Sequence, residues 1–412
     1  MTTDVRVLRP DDWEAWFGGL ELAFGGVPEP EEARAFFRDI TEFERSLAVW
    51  DGERIVGSAG AFSFRMTVPG GAAVPTAGVT MVSVASTHRR RGVLTSMMRR
   101  QLDDVRALGE PLAVLTASEP AIYGRFGYGV STQRLGAAIR TDQVSLQLPP
   151  GVDAFTLRLA DPAEPEVLAA CEAVYARQVP GRPGMLARRP GWERQGVVDP
   201  AAERSGASAR QCLLAERDGE LVGYARYRLR PEWDASDSPT GVVAVDDLEA
   251  TEPAAYAALC RFLFDLDLMT TVSLPNRPAD DAWQHLVSDI RRCSVRLRDG
   301  LHLRPVEVGA ALAARTYAVD VDVVLDVSDP FCPWNTGRWR LSGGPAGAVC
   351  ERTDAPAELS LSVRELGSAY LGGFSLAGLA AAGRVREERP GALARTALAF
   401  SGTVAPWLPH GF

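Results

Sequence analysis

The chain of 412 residues contains no lysine: all 44 of its basic residues are arginine, set against 53 acids for a net charge of -9. An acidic balance of this size disfavours a general nucleic-acid binder, and every cationic role falls to arginine or the N-terminus. Histidine is scarce as well. His88, His285, His302 and His410 lie far apart in sequence, and the six cysteines (Cys171, Cys212, Cys260, Cys293, Cys332 and Cys350) show no Cys-x-x-Cys spacing. That pattern argues against a zinc site and a disulfide framework, so we expect no metal and small buried thiols. No apolar run approaches the roughly 20 residues needed to span a bilayer, and the first residues lack a basic start followed by an apolar stretch. The expectation is a protein of the cytoplasm without a membrane span, any export using a route the sequence does not display.

What is present is concentrated between Val79 and Thr95. Val79, Met81, Val82 and Val84 are β-prone, and Leu94, Met98, Leu102, Val105 and Leu108 recur at helical spacing. A strand therefore feeds a helix through Arg89, Arg90, Arg91 and Gly92. The first amides of a helix have no intrahelical acceptor and its dipole is positive there, so a diphosphate can be held. Gly92 lets backbone approach the ligand closely, and the guanidiniums add forked, charge-assisted donors. Further on, Gly109 and Pro111 stop the helix, and a short apolar strand, 112 to 117, leads into Ser118-Glu-Pro-Ala-Ile-Tyr-Gly-Arg-Phe-Gly-Tyr-Gly129.

Arg89-Arg-Arg-Gly-Val-Leu94 resembles the Gln/Arg-x-x-Gly-x-Gly/Ala signature of GNAT acetyltransferases, with Leu94 in place of the small final residue. Tyr123-x-x-x-Gly127-Tyr128 is similar to the element that follows their fifth strand. Together with Glu-Leu-Gly-Ser-Ala-Tyr-Leu-Gly-Gly near residues 365 to 373, these segments resemble the Eis (enhanced intracellular survival) family along the whole chain. The resemblance implies an α+β protein: a catalytic GNAT domain (1–145), a degenerate GNAT-like domain (146–292) and a sterol-carrier-protein-like domain (293–412). It also implies acetyl-CoA as donor, a cationic, aminoglycoside-like amine as acceptor, and a homo-oligomer, a hexamer in the family. Peptide lysine acetylation and a non-catalytic CoA- or lipid-binding scaffold are the alternatives.

An internal likeness supports the tandem reading. Asp51-Gly-Glu-Arg-Ile-Val-Gly and Asp218-Gly-Glu-Leu-Val-Gly both give a hairpin turn and a strand. Where the first copy continues to arginines, the second reaches Glu249-Ala-Thr-Glu252 before its helix, and like charge would repel a diphosphate. The second copy is expected to be catalytically silent. In the third segment, strand patterns near 320–327, 338–341, 348–352 and 358–363 precede helical ones at 364–371, 375–385 and 391–399.

For the chemistry, Arg89, Arg90, Arg91 and the amides around Gly92 and Val93 are candidates to hold the diphosphate, with Ser118 nearby. Backbone groups of Val82 and Val84 can pair with the pantetheine arm as an added strand. Tyr123 is the candidate acid for the departing thiolate; the alternative is a packing aromatic beside Phe126 and Tyr128, and its position in the motif favours the catalytic role. By the resemblance, the α-carboxylate of Phe412 lies in the active site and can accept the ammonium proton; its ordinary pKa of about 3.5 keeps it ionised. His410 is the competing base. Phe24, Glu31, Phe36 and Met81 are candidates to line the amine pocket, with Glu29 and Glu32 as further acids for a cation.

Overall fold

The structure, a computed structural model, describes residues 3–412. They divide into two compact units: residues up to Thr132 with 182–187 and 299–412, and residues 133–181 with 188–298.

In the first unit, β1 (Asp4–Val7) precedes α1 (Trp13–Ala23) and α2 (Glu31–Ile40). Then come β2 (Leu47–Asp51), β3 (Arg54–Thr67), β4 (Ala73–Val84), α3 (Val93–Ala107), β5 (Leu112–Thr116) and β6 (Gly129–Val130). The sheet runs β1-β2-β3-β4-β5, then the strand Leu301–Pro305, then β6. Only β4 and β5 are parallel neighbours within that path, as a helical crossover between them requires. Side chains alternate across each strand, so the two faces are read from packing. Leu47, Val49 and Val56 meet Val93 and Met97 of α3 on one face, whereas Ala48 meets Trp13, Trp16 and Phe17 of α1 on the other.

The β4–β5 pairing positions the site. Thr76, Ala77 and Gly78 oppose Leu112, Ala113 and Val114, and there the register ends. From Val79 to Val84, β4 has no strand partner on that edge among the described residues.

A five-stranded sheet belongs to the same unit, in the order Gly347–Arg352, Gly337–Gly344, Val321–Ser328, Leu359–Ser362, Val385–Glu387. Helices Val363–Ala369, Leu376–Ala381 and Ala392–Phe400 follow the expected positions, except that the middle one is shorter and a strand begins at Val385.

The second unit has a seven-stranded sheet ordered Arg296–Asp299, Gln133–Arg140, Met269–Arg277, Gly241–Ala250, Glu220–Arg230, Gln211–Arg217, Thr156–Ala160. The expected hairpin is present: Arg217 opposes Glu220 across Asp218 and Gly219, both at positive φ (54° and 84°). The strand Gly241–Ala250 runs parallel to Met269–Arg277 and continues into a helix at Pro253–Phe264. That copies the β4–α3–β5 path.

The boundaries at 145 and 292 need correction. The strand Gln133–Arg140 lies in the second sheet, and Leu301–Pro305, assigned to the third domain, completes the first by pairing with β5 and β6. A strand's alternating pattern states that one face is buried but not against which sheet, so linear sequence cannot allot such strands.

Candidate active site

At the free edge of β4 the backbone departs from a regular strand. Ser58 opposes Ser83 and Gly60 opposes Thr80, so two residues, Met81 and Val82, stand against one on β3. Met81 takes a left-handed conformation (φ 51°), and the Ser58 hydroxyl donates to its carbonyl at 2.8 Å. Such a bulge redirects side chains and frees main-chain groups. Met81 turns to the cluster of Trp13, Trp16 and Phe17, and Val82 to the side of α3.

After Val84 the chain is pinned by His88, whose Nε2 lies 3.0 Å from Asp51 Oδ2. Arg90 (φ 62°) and Gly92 (φ 84°) are then both left-handed. Arginine pays a conformational cost at that φ that glycine does not, which marks a turn enforced by its surroundings. Turns of this kind aim successive amides at one point, a natural anion cradle. The first amide to find a carbonyl is that of Ser96, which donates to Gly92 O at 2.9 Å. Arg89, Arg90 and Arg91 are exposed and make no ion pair among the described residues. Val93 contributes only its amide, because its side chain is buried against Val49 and Val56. Ser118 is exposed on the loop after β5.

The tyrosine element is a run of 3-10 turns, Pro120–Phe126. Tyr123 is half-buried, edge-on to Tyr128 with centroids 6.1 Å apart. It packs with Ala77, Val79 and Leu115 on the α3 face. Burial, and secondarily the charge of Glu119, push its pKa above the ordinary tyrosine value and keep the hydroxyl protonated. Tyr128 is fully buried packing, as expected.

What holds this element was not foreseen. Gly127 (φ 83°) stands where a Cβ would collide with the Arg304 guanidinium. Arg304 is fully buried, donates to Phe126 O, and pairs with Asp329 at 2.5 Å. Asp329 also accepts from Asn335 Nδ2 (3.0 Å) and from the Cys332 amide (2.9 Å). A Cβ at Gly129 would strike Arg364 O on the helix Val363–Ala369. The glycines of the tyrosine element are thus seats for the strand that carries Arg304 and for the helix Val363–Ala369, and only partners almost 180 residues away or more reveal it.

The chain end is docked. The Trp407 amide donates to Pro183 O at 2.9 Å, and Trp407 and Leu408 are buried. The Phe412 ring meets Phe64 edge-on at 5.3 Å, and a Cβ on Gly78 would lie 3.2 Å from it. Gly78 alternates with Ala77 and Val79, which face α3, so Phe412 occupies the α1 face of the sheet. Phe412 and Tyr123 therefore approach the β4–β5 gap from opposite faces. His410 Nδ1 lies 3.0 Å from Gly411 O.

The amine-side candidates are less unified. Phe36 is buried, with its ring 5.6 Å from Phe37, which continues to Phe17 at 5.7 Å. Phe24 is 63% exposed at the end of α1, and Glu31 is exposed in the first turn of α2. No ring contact or hydrogen bond ties either to β4 or Phe412 among the described residues. Other acids of this face are already engaged: Arg34 binds Glu14 and Glu21, Arg38 binds Glu14, and Glu42 accepts from the Ser63 amide and hydroxyl.

Comparison with known proteins agrees with this layout. Acetyltransferase (GNAT) domain models match residues 4–131 and 184–305, and a sterol carrier protein domain model matches 308–409. The N-acetyltransferase Eis of Mycobacterium tuberculosis is 36% identical over 418 residues, with 98% of each chain covered. The chain belongs to the Eis family of N-acetyltransferases. An Eis1 crystal structure from Mycobacterium abscessus matches with a TM-score of 0.85 at 35% identity, covering 100% of both chains. An uncharacterized N-acetyltransferase of Streptomyces avermitilis is 65% identical over 412 residues, all of both chains. This Eis-family chain is accordingly an acetyltransferase with two GNAT domains and a sterol-carrier-like domain. GNAT enzymes use acetyl-CoA as donor. No helix among the described residues is long and apolar enough to cross a membrane.

Proposed function

We propose that the chain transfers acetyl from acetyl-CoA to a primary amine of a cationic, aminoglycoside-like small molecule. The observation that carries this reading is the turn at residues 89 to 94, whose arginines have no ion pair among the described residues, next to the edge of β4 that has no strand partner there. It offers what a diphosphate followed by a pantetheine arm requires: positive groups without internal partners, then an unpaired strand edge. Gly92 has open space where a Cβ would stand. In the second domain the corresponding helix, Pro253–Phe264, is preceded by Glu252, which pairs with Arg217 at 2.6 Å, and we read that copy as silent.

In this reading the amine nitrogen attacks the thioester carbon, the C–S bond breaks, and the acetyl group stays on nitrogen. Amides of Val82 and Val84 orient the donor and stabilise the oxygen as it becomes negative. Tyr123 hydrogen-bonds the departing sulfur and, because a phenol above about 10 is a weaker acid than a thiol near about 8.5, hands over its proton only as the C–S bond breaks, recovering one from the acylated nitrogen; burial keeps the phenol protonated beforehand. The Phe412 carboxylate takes the proton from the ammonium, directly or through water. Met81 and Phe36 wall the acceptor side, while Glu31 and Glu32, exposed in the first turn of α2, attract the cation with Phe24 beside them. The protein is read as a cytoplasmic homo-oligomer, a hexamer by family likeness, which light scattering tests.

The deciding experiment measures thiol release from acetyl-CoA with an aminoglycoside panel and with lysine peptides, followed by product masses. Turnover confined to peptides would replace the small-molecule acceptor. No release with any amine would overturn the catalytic reading.

A further inference from the structure

His88 stands at the entrance to the arginine turn and has no part in the chemistry assigned above. Its ring is held at both nitrogens: Nε2 lies 3.0 Å from Asp51 Oδ2, and Nδ1 lies 2.9 Å from Thr87 Oγ1. An imidazole protonated at Nε2 satisfies both contacts, donating to the carboxylate and accepting from the hydroxyl. The His88 side chain is 12% exposed and that of Asp51 25%, so solvent screens the contact only in part. Asp51 ends β2 at the hairpin turn, where it opposes Arg54. The pair therefore ties the turn before α3 to the β2–β3 hairpin.

The second domain makes the same kind of tie with other residues. The Ala85 amide donates to Val56 O at 2.9 Å and the Thr251 amide to Val222 O at 2.8 Å, at matching places in the two copies. From Thr251 the second copy reaches its helix after Glu252 alone, and Glu252 pairs with Arg217 beside its own hairpin turn. The first copy interposes residues 86–92 and makes the tie with His88. Downstream, a Cβ on Gly57 would lie 3.1 Å from Val93 Cγ1, so Val93 is seated against β3. The turn is thus fastened at His88 and at Val93. The three arginines between them have no side-chain partner among the described residues.

We infer that His88 is a positioning residue for the acetyl-CoA diphosphate: its hydrogen bond to Asp51 sets where the amides and arginines of the turn meet the ligand. This rests on the donor-binding reading of that turn. Two effects act together. Arg90 at φ 62° is in a conformation costly for an L-residue, and a fastened entrance keeps it there before the ligand arrives. The imidazole also occupies Asp51. Released, that carboxylate would be free to pair with Arg89, the next residue, and withdraw a donor from the phosphates.

Calorimetry of acetyl-CoA binding to the full chain, with turnover measured alongside, tests the assignment. His88→Ala should raise the Kd and KM for acetyl-CoA roughly tenfold, about the worth of one charge-assisted hydrogen bond, with kcat at saturating donor little changed. His88→Gln carries an amide N–H where Nε2 stood and should recover most of the affinity. Asp51→Ala should also weaken binding, which reads the tie from its other side even if His88→Ala does not fold. The double variant should be no weaker than His88→Ala. Parent-like affinity in the alanine variants, no recovery with glutamine, or additive losses would overturn the positioning role. If Arg89→Ala with Arg90→Ala binds acetyl-CoA as tightly as the parent, the donor-binding reading of the turn fails instead.

Discussion

Extending the chain by one glycine after Phe412 isolates the role assigned to the terminal carboxylate. One residue of extended chain spans about 3.3–3.6 Å. A proton acceptor works at about 2.6–3.2 Å from its partner, or through one water. The extension therefore removes the carboxylate from reach while leaving the side chains that dock the tail: Trp407 and Leu408 stay buried, and the Phe412 ring still meets Phe64 at 5.3 Å. Acid–base groups contribute on the order of 10²–10⁴ in rate, so kcat/KM should fall by about that factor with the unfolding midpoint nearly unchanged. Phe412→Leu is the complement, keeping the carboxylate and losing the edge-on contact, about 0.5–1.5 kcal/mol, with a milder loss of rate. Thiol release followed with a chromogenic thiol reagent, alongside thermal unfolding, checks both. An extended enzyme within threefold of the parent would remove the carboxylate from the mechanism and leave His410 or water as the base.

Three other expectations follow from the same geometry. Arg89→Ala with Arg90→Ala should raise the Kd for acetyl-CoA roughly tenfold or more and flatten its salt dependence, read by calorimetry; unchanged affinity places the diphosphate elsewhere. Tyr123→Phe should lower kcat about 10²-fold at similar acetyl-CoA affinity. Since burial raises the phenol's pKa, the parent should keep its proton donor up to and beyond the ordinary value of about 10, and an alkaline loss assigned to Tyr123 below pH 9 would contradict that role. Asp329→Asn leaves the Arg304 charge buried and unpaired, and should cost about 3–5 kcal/mol in denaturant unfolding while lowering kcat through a loosened tyrosine turn; full stability would refute the clamp.

Much of the active region was legible in sequence because it is local. The strand Arg54–Thr67, the arginine turn before α3 and the tyrosine segment each announce themselves by period, breaker residues and charge over a short stretch. The hairpin at Asp218-Gly219 is likewise fixed by residues that tolerate positive φ. The Met81 bulge was not legible, since it exists only as a register mismatch with Ser58 and Gly60 on β3. Nor was the engagement of Glu14, Glu21 and Glu42 by neighbouring groups, which leaves fewer acids for a cationic acceptor than composition suggests.

Sequence alone therefore determined most elements, the arginine turn before α3 and the tandem order, because dihedral preference and periodicity act between near neighbours. Tertiary structure decided which sheet receives Gln133–Arg140 and which receives Leu301–Pro305. It also placed Arg304 behind the tyrosine turn and brought Phe412 against Gly78. Those outcomes depend on burial, strand pairing and charge pairing between segments 131 residues apart (Arg140 to Thr271) or more, and a linear pattern carries no record of the partner.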